Sequence, residues 1–166
     1  MGENKFNPIE SVIALDSDIA ELERLKAFID KFCEVESVQE GICIQLQIAL
    51  EELVLNTMNY GQCEPKEGAI GLSMKRQGDE LIIVFSDTGM SFNPLEAPPP
   101  DLTGDVRDRQ VGGLGIHLVR NLVESIRYER REGRNFLYFT KHVHSVSDTA
   151  EPEGETNANR NGDNQS

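Results

Sequence analysis

The chain has 166 residues, of which 38% are hydrophobic, and a formal net charge of −13 at pH 7. This length is enough for one domain with its own core, and the negative charge argues against general binding of nucleic acid or anionic membranes. No leader resembles a signal peptide and no apolar run approaches the ~20 residues of a membrane helix, so we expect a soluble cytoplasmic protein.

The first half of the chain predicts a strand followed by two helices. An apolar stretch predicts a strand over 6–15, most apolar over 11–15. Asp18, with Glu21 three residues later, has the spacing of a capping box and predicts the start of the first helix. Three- and four-residue spacing then predicts its buried face: Ile19, Leu22, Leu25, Ile29 and Phe32.

A longer second helix is predicted from about Glu40 to Tyr60, with Gly61 in the position that commonly ends helices. Its periodicity predicts the following buried face: Ile42, Leu46, Ala49, Leu53 and Thr57.

The second half predicts two strand pairs around one helix. Strands are predicted over 69–76, 81–86, 125–131 and 135–142, and a third helix carries Leu114, Leu118, Val119 and Leu122. Residues 90–111 have no period and include three consecutive prolines, which is typical of a functional lid or a disordered loop. Residues 145–166 are almost devoid of apolar side chains, so we expect a folded domain over 1–144 and a disordered tail over 145–166.

The three cysteines are Cys33, Cys43 and Cys63. Their number is odd and none forms a Cys-x-x-Cys pair. We therefore expect buried or free thiols in a reducing cytosol.

Three short motifs occur in a fixed order along the chain. They are Glu52-Leu53-Val54-Leu55-Asn56 in the second helix, Asp87-Thr88-Gly89 after an apolar strand, and Gly112-Gly113-Leu114-Gly115 at the start of the third helix. Each motif alone is weak, since a mid-helix glutamate is usually solvated and the two glycine motifs are common as turns or hinges. Their order and settings together favour nucleotide binding.

The residue types suit both the triphosphate with its Mg²⁺ and the adenine of Mg-ATP. Glu52 and Asn56 are four residues apart, so they lie on one helix face. A neutral Asn oxygen suits Mg²⁺ beside triphosphate oxygens, and a carboxylate one turn away can accept a proton from an attacking hydroxyl. Asp87 can accept a hydrogen bond from an exocyclic amine such as that of adenine, and Gly89 allows close approach of the backbone. The glycines at 112–115 offer backbone N–H groups to an anion.

The chain resembles the GHKL ATP-binding superfamily, and within it the small anti-sigma-factor serine kinases of bacteria. The resemblance covers about 6–143 and rests on Ala49 to Asn56 with Tyr60-Gly61, on Asp87-Thr88-Gly89 with Phe92-Asn93-Pro94, and on Val111 to Arg120. It implies a two-layer α/β (α+β) sandwich of Bergerat type. A mixed, mostly antiparallel sheet would carry helices on one face, with a mobile ATP lid between the glycine motifs.

The resemblance also implies residue roles. Glu52 would be the general base, Asn56 the Mg²⁺ ligand and Asp87 the adenine-binding residue, with Gly89, Gly112, Gly113, Leu114 and Gly115 contacting ATP. Arg107 or Arg109 in the lid would stabilise the γ-phosphate, although two lone arginines are more often simply solvated. Ser91 and Asn59 depart from the usual pattern, where a second Gly and a Lys often stand.

Two functions remain open from the sequence. The first is a serine/threonine-protein kinase whose partner is a STAS-domain anti-sigma antagonist, and sometimes a sigma factor, in an assembly that is often homodimeric in such relatives. The second is a nucleotide-binding switch that holds a partner without phosphoryl transfer. The presence of Glu52 and Asn56 together, one turn apart, favours the kinase, because a module that only binds adenine needs only Asp87 and the glycines. The group at Arg127, Arg130, Arg131 and Arg134 is interpreted as a solvated hairpin, with a surface for an acidic partner as the alternative.

Overall fold

The structure is a computed structural model that describes residues 10–63, 67–96 and 114–143. In chain order its elements are β1 (Ser11–Leu15), α1 (Glu21–Val35), α2 (Glu40–Tyr60), β2 (Ile70–Gln77), β3 (Glu80–Asp87), α3 (Leu114–Leu122), β4 (Ser125–Arg131) and β5 (Arg134–His142). Residues 97–111 of the predicted lid and the whole predicted tail lie outside the described residues. Within the described residues, no helix combines the length and the hydropathy needed to cross a membrane.

The five strands form one sheet in the order β1-β2-β3-β5-β4, and every pairing is antiparallel. The expected α+β architecture is confirmed. The expected sheet was mixed and mostly antiparallel, and no parallel pair occurs among the described strands. Alternate residues of β2, β3 and β5 enter the core with residues of all three helices, so the helices lie on one face of the sheet. These inward strand residues are Ile70, Leu72, Met74, Leu81, Ile83, Phe85, Leu137 and Phe139.

Helix α2 matches its predicted bounds and is the central helix of the layer, since it packs against both α1 and α3. Four of the five residues predicted for its buried face are buried, and Ile42 is partly buried against the core. Gly61 caps the helix with a right-handed φ of −69°, and the left-handed residue is Gln62, at φ 50°. Gly61 is therefore not in the left-handed conformation of the usual helix-ending glycine.

The predicted start of α1 is wrong. The Asp18 carboxylate accepts a hydrogen bond from the Ala20 N–H at 2.8 Å, which makes a turn, and the helix begins at Glu21. Glu21 pairs with Arg24 rather than reaching back to a cap. Ile19 is 70% exposed, so it does not join the buried face. The Asp18 side chain therefore bonds to the backbone within a short turn instead of capping the helix.

The expectation of buried or free thiols fits Cys63 but is wrong for the other two cysteines. Cys33 and Cys43 form a disulfide with a Cα–Cα distance of 6.2 Å, and Cys63 is free. The pair joins the end of α1 to the start of α2 inside the core. Sequence spacing could not reveal it, because the reversal between the two helices brings the cysteines together.

Candidate functional site

The end of β3 lies beside the end of α2. The Met90 N–H donates to the Gly61 carbonyl oxygen at 2.8 Å, and the Thr88 N–H donates to the Ala69 carbonyl oxygen at 3.0 Å. These two bonds join the Asp87-Thr88-Gly89 turn to Gly61, which follows α2, and to Ala69, which precedes β2. The structure thus places the Asp87-Thr88-Gly89 turn against the C-terminal end of the helix that carries Glu52 and Asn56.

Gly89 occupies a position where no side chain fits. A Cβ built there would lie 2.5 Å from the Gly61 carbonyl oxygen and 2.8 Å from an Asp87 carboxylate oxygen. Both distances are far below van der Waals contact, so any larger residue would push the turn away from α2. The need for glycine here comes from close backbone approach rather than from a special φ.

Asp87 is the last residue of β3 and is half-buried. One carboxylate oxygen, Oδ1, accepts the Gly89 N–H and the Asn135 amide, both at 2.8 Å. The other oxygen, Oδ2, forms no hydrogen bond with any described residue. Nearby, the buried Thr88 hydroxyl contacts the Cys63 thiol, which is a weak hydrogen-bonding group, and has no oxygen or nitrogen partner within the described ranges. A buried hydroxyl with so weak a partner is uncommon, so a ligand or water is expected to complete its hydrogen bonding.

Asn135, predicted from the sequence only as the start of a strand, fixes Asp87. It lies opposite Asp87 in the sheet and is 7% exposed. Its amide nitrogen donates to Asp87 and to the Met90 carbonyl oxygen at 2.8 Å each. Its oxygen accepts from the Tyr128 hydroxyl at 2.9 Å and from Arg130 at 2.6 Å. All four of its hydrogen-bonding capacities are therefore used, which fixes the amide in one orientation.

Two hairpin arginines have structural roles, which corrects the interpretation of a merely solvated group. Arg130 donates to the Gly89 carbonyl oxygen at 3.1 Å in addition to Asn135. Arg134 donates to the Ser86 hydroxyl at 3.1 Å and to the Gly68 carbonyl oxygen at 2.8 Å. Both guanidinium groups therefore bind the segments around Asp87. No sequence signal distinguished them from their neighbours, because hairpin arginines usually face solvent.

Cys63 adds no charge to this region. Burial raises the pKa of its thiol, and the negative charge of Asp87 raises that pKa further. The thiol is therefore protonated and neutral at pH 7. It is a poor nucleophile in this state, so we assign it no chemical role.

Glu52 and Asn56 are both half-buried on α2, one turn apart. Neither side chain forms a hydrogen bond with another group in the described ranges. Within the same ranges, no cluster of three His, Cys, Asp or Glu side chains could hold a metal ion. One amide oxygen with free lone pairs nevertheless fits Mg²⁺ when the other ligands are water and phosphate oxygens, as is common for this ion.

The third motif is only partly described. Helix α3 begins with Leu114 and Gly115 and packs against α2. The described residues do not include Gly112, Gly113 or the two candidate lid arginines, Arg107 and Arg109. The start of α3 is thus placed on the same helix layer as Glu52 and Asn56. The predicted contacts of the glycines and arginines with phosphate remain predictions.

Comparison with known proteins gives concordant matches. A family model described as histidine kinase-like ATPase domain matches residues 15–141. The serine/threonine-protein kinase BtrW of Bordetella bronchiseptica is 29% identical over 97 residues, covering 58% of this chain and 68% of that protein. The serine-protein kinase RsbW of Listeria monocytogenes is 28% identical over 102 residues, covering 59% and 64%. For the Bacillus subtilis RsbW the identity is 26% over 92 residues, covering 53% and 58%.

A solved structure shows the same fold. The crystal structure of the RsbU and RsbW domains of a Mycobacterium tuberculosis protein aligns with a TM-score of 0.60 at 15% identity, covering 81% of this chain and 32% of that one. At this identity the likeness supports the fold alone. The matched regions of the RsbW relatives are less than two thirds of their length.

Proposed function

The chain belongs to the histidine kinase-like ATPase family, and from this premise we propose that it is an ATP-dependent serine/threonine kinase of the anti-sigma-factor type. Its substrate would be a hydroxyl on a STAS-domain anti-sigma antagonist, and a sigma factor would be its second partner. The names of the relatives support this class of enzyme. The observation that carries the proposal is the combination of a fixed carboxylate at Asp87 with Glu52 and Asn56 on the adjoining helix, neither of which forms a hydrogen bond with a described group.

Asp87 would bind the adenine. Its Oδ1 is held by two hydrogen bonds, so its Oδ2 is directed by the protein and is available to accept the exocyclic amine. Gly89 would let the backbone of the turn approach the ring, and it also lets the turn that carries Asp87 lie against Gly61, where a Cβ would collide. The buried Thr88 hydroxyl would supply a second polar contact, directly or through water.

Asn56 would hold Mg²⁺ through its amide oxygen, and the ion would neutralise charge on the triphosphate. The backbone around Gly112, Gly113, Leu114 and Gly115 would bind the phosphates, with Arg107 and Arg109 as further contacts. Glu52 would take the proton of the acceptor hydroxyl. The hydroxyl oxygen then bonds to the γ-phosphorus, the bond to the β–γ bridging oxygen breaks, and ADP leaves with that electron pair.

The competing function is a switch that binds nucleotide and a partner without phosphoryl transfer. Glu52→Gln separates the two, because the amide keeps the shape and removes the proton acceptor. We expect ATP affinity close to wild type and a loss of transfer of about 10²–10⁴-fold. The measurement is transfer of labelled γ-phosphate to a panel of STAS-domain proteins from the source genome, with ATP binding measured by calorimetry.

Glu51→Gln is the matched control, since Glu51 is the adjacent half-buried glutamate of the same helix. At a saturating concentration of the acceptor protein it should transfer phosphate at the wild-type rate. A wild-type rate in Glu52→Gln would remove Glu52 as the base. Nucleotide-dependent binding of a STAS protein with no transfer by the wild type would favour the switch.

We also infer that the protein forms a homodimer through the sheet face that the described helices leave uncovered, here called the open face. Strand register places Val12, Ile82, Val84, Phe136 and Tyr138 on it. Outward positions of an antiparallel sheet are normally polar when they face water, so this apolar strip favours a covered surface.

The charges on the open face favour a second copy of this chain as the partner that covers it. The chain carries −13 overall, but Arg127 stacks over the Tyr138 ring at 4.2 Å and Arg131 over the Phe136 ring at 5.1 Å. Arg127 is also paired with Glu129 at 2.9 Å, so two copies of this face would meet without setting its charge unpaired against a second one. Sedimentation equilibrium should show a dimer for the wild type and a monomer for Val84→Lys. Ile19→Lys, an exposed site away from the open face, should remain dimeric, and a dimeric Val84→Lys would contradict the assignment.

A further inference from the structure

The outward faces of the first two helices differ in chemistry. The exposed residues of α1 are mostly charged: Glu23, Arg24, Lys26, Asp30, Lys31 and Glu34. Helix α2 instead exposes Ile44 and Ile48, at 48% and 49%, and contains neither lysine nor arginine. A helix that is apolar on both its inner and outer faces is usually covered on both. In the described structure only the inner face of α2 is covered.

The exposed isoleucines lead directly to the proposed base. Ile44, Ile48 and Glu52 are spaced by four residues and therefore form one stripe along α2. At 1.5 Å per residue, Ile48 is about 6 Å and Ile44 about 12 Å along the axis from Glu52. Half-buried Leu55 continues the stripe for one more turn.

We propose that the stripe of Ile44 and Ile48 is the docking surface for the protein that accepts the phosphate. The proposal rests on the kinase function and adds where that substrate binds. A folded acceptor that presents its hydroxyl to Glu52 must lie over the adjoining part of α2. Contact with two isoleucines would hold it there at the moment of transfer, which converts binding energy into positioning of the hydroxyl.

The charge around the stripe specifies the chemistry of this partner. The only ionisable side chains of α2 besides its tyrosine are Glu40, Glu51 and Glu52. The complementary surface is therefore an apolar patch edged by lysine or arginine next to the acceptor Ser or Thr. A second copy of this chain fits less well, because its own α2 surface would place glutamates against glutamates.

The test uses Ile44→Ser with Ile48→Ser in the full chain. Isoleucine and serine have similar helix propensities, so α2 should persist. The substrate is the STAS-domain protein that accepts phosphate from the wild type. We expect its KM to rise about tenfold or more, with ATP affinity and melting temperature close to wild type. Ile44→Leu with Ile48→Leu should restore a KM near wild type, and Ile19→Ser, exposed at 70%, is the control for loss of a surface isoleucine.

An unchanged KM in the double serine variant would overturn the docking proposal while leaving the kinase function intact. A parallel loss of ATP affinity would also overturn it, because the effect would then lie in the helix rather than in docking. If the double serine variant were a monomer where the wild type is a dimer, and its KM were unchanged, the stripe would be a contact between two copies of this chain and not the docking surface. Absence of transfer by the wild type to every STAS protein would overturn the kinase function itself, and with it the docking proposal.

Discussion

The two ends of the candidate site are built in different ways. At Asp87, hydrogen bonds from Gly89 and Asn135 fix the carboxylate, and Tyr128 and Arg130 in turn fix Asn135. At Glu52 and Asn56, the side chains project from a regular helix without a hydrogen bond to any described group. The carboxylate of the first end is fixed by the protein itself, whereas no hydrogen bond from a described group fixes the two side chains of the second.

This difference has a physical reason. A planar base is recognised by one or two directed hydrogen bonds, so the acceptor must be held in place and its competing contacts satisfied. Phosphates and Mg²⁺ bring strong charges and their own waters, so a helix face with free oxygens is sufficient. We therefore expect substitutions at the adenine end to lower nucleotide affinity most, and those at the phosphate end to affect metal dependence and transfer.

Asp87→Asn gives the largest expected change in affinity. The Asn oxygen can still accept from Gly89 and Asn135, but the free carboxylate oxygen becomes an NH₂ group that faces the adenine amine. Losing this charge-assisted bond should weaken ATP binding about 10- to 150-fold, while the melting temperature changes little. Calorimetry would measure it, with Asp79→Asn as an exposed control. Equal affinity in wild type and Asp87→Asn would remove Asp87 from the site.

Asn56→Ala should have a smaller effect that depends on the metal. We expect ATP affinity in the presence of Mg²⁺ to fall about tenfold, and affinity in the presence of a chelator to stay the same. Asn59→Ala, an exposed position on the same helix, should retain the full difference between the two conditions. If Asn56→Ala retains it as well, Asn56 is not a ligand.

Tyr128→Phe should have the smallest effect and tests how the adenine end is held. It removes one donor to the Asn135 oxygen, while Arg130 continues to donate at 2.6 Å. We expect a loss of about 0.5–1.5 kcal/mol in the free energy of unfolding and nearly unchanged ATP affinity. Urea unfolding would measure it against Tyr60→Phe, an exposed control. A large loss of ATP affinity would show that the two donors to Asn135 are not redundant.

Most elements of the fold could be predicted because their periods are regular. Helix α2 has the predicted bounds, and β2, β3, β4 and β5 all begin and end within one residue of the predicted positions. The start of α1 was missed because a local Asp18 turn and a capping box share the same sequence signature. The division into a domain over 1–144 and a tail over 145–166 stays a prediction.

The sequence by itself determined the family, the order of elements and the positions of Glu52, Asn56, Asp87 and Gly89, because motifs and periodicity are local properties. Only the tertiary structure decided that Asn135 holds Asp87, that Cys33 meets Cys43, and that Gly89 lies against Gly61. Each of these contacts joins residues that are distant along the chain or separated by a reversal. They arise from sheet register and helix packing, which place side chains together through the whole core rather than through any short pattern.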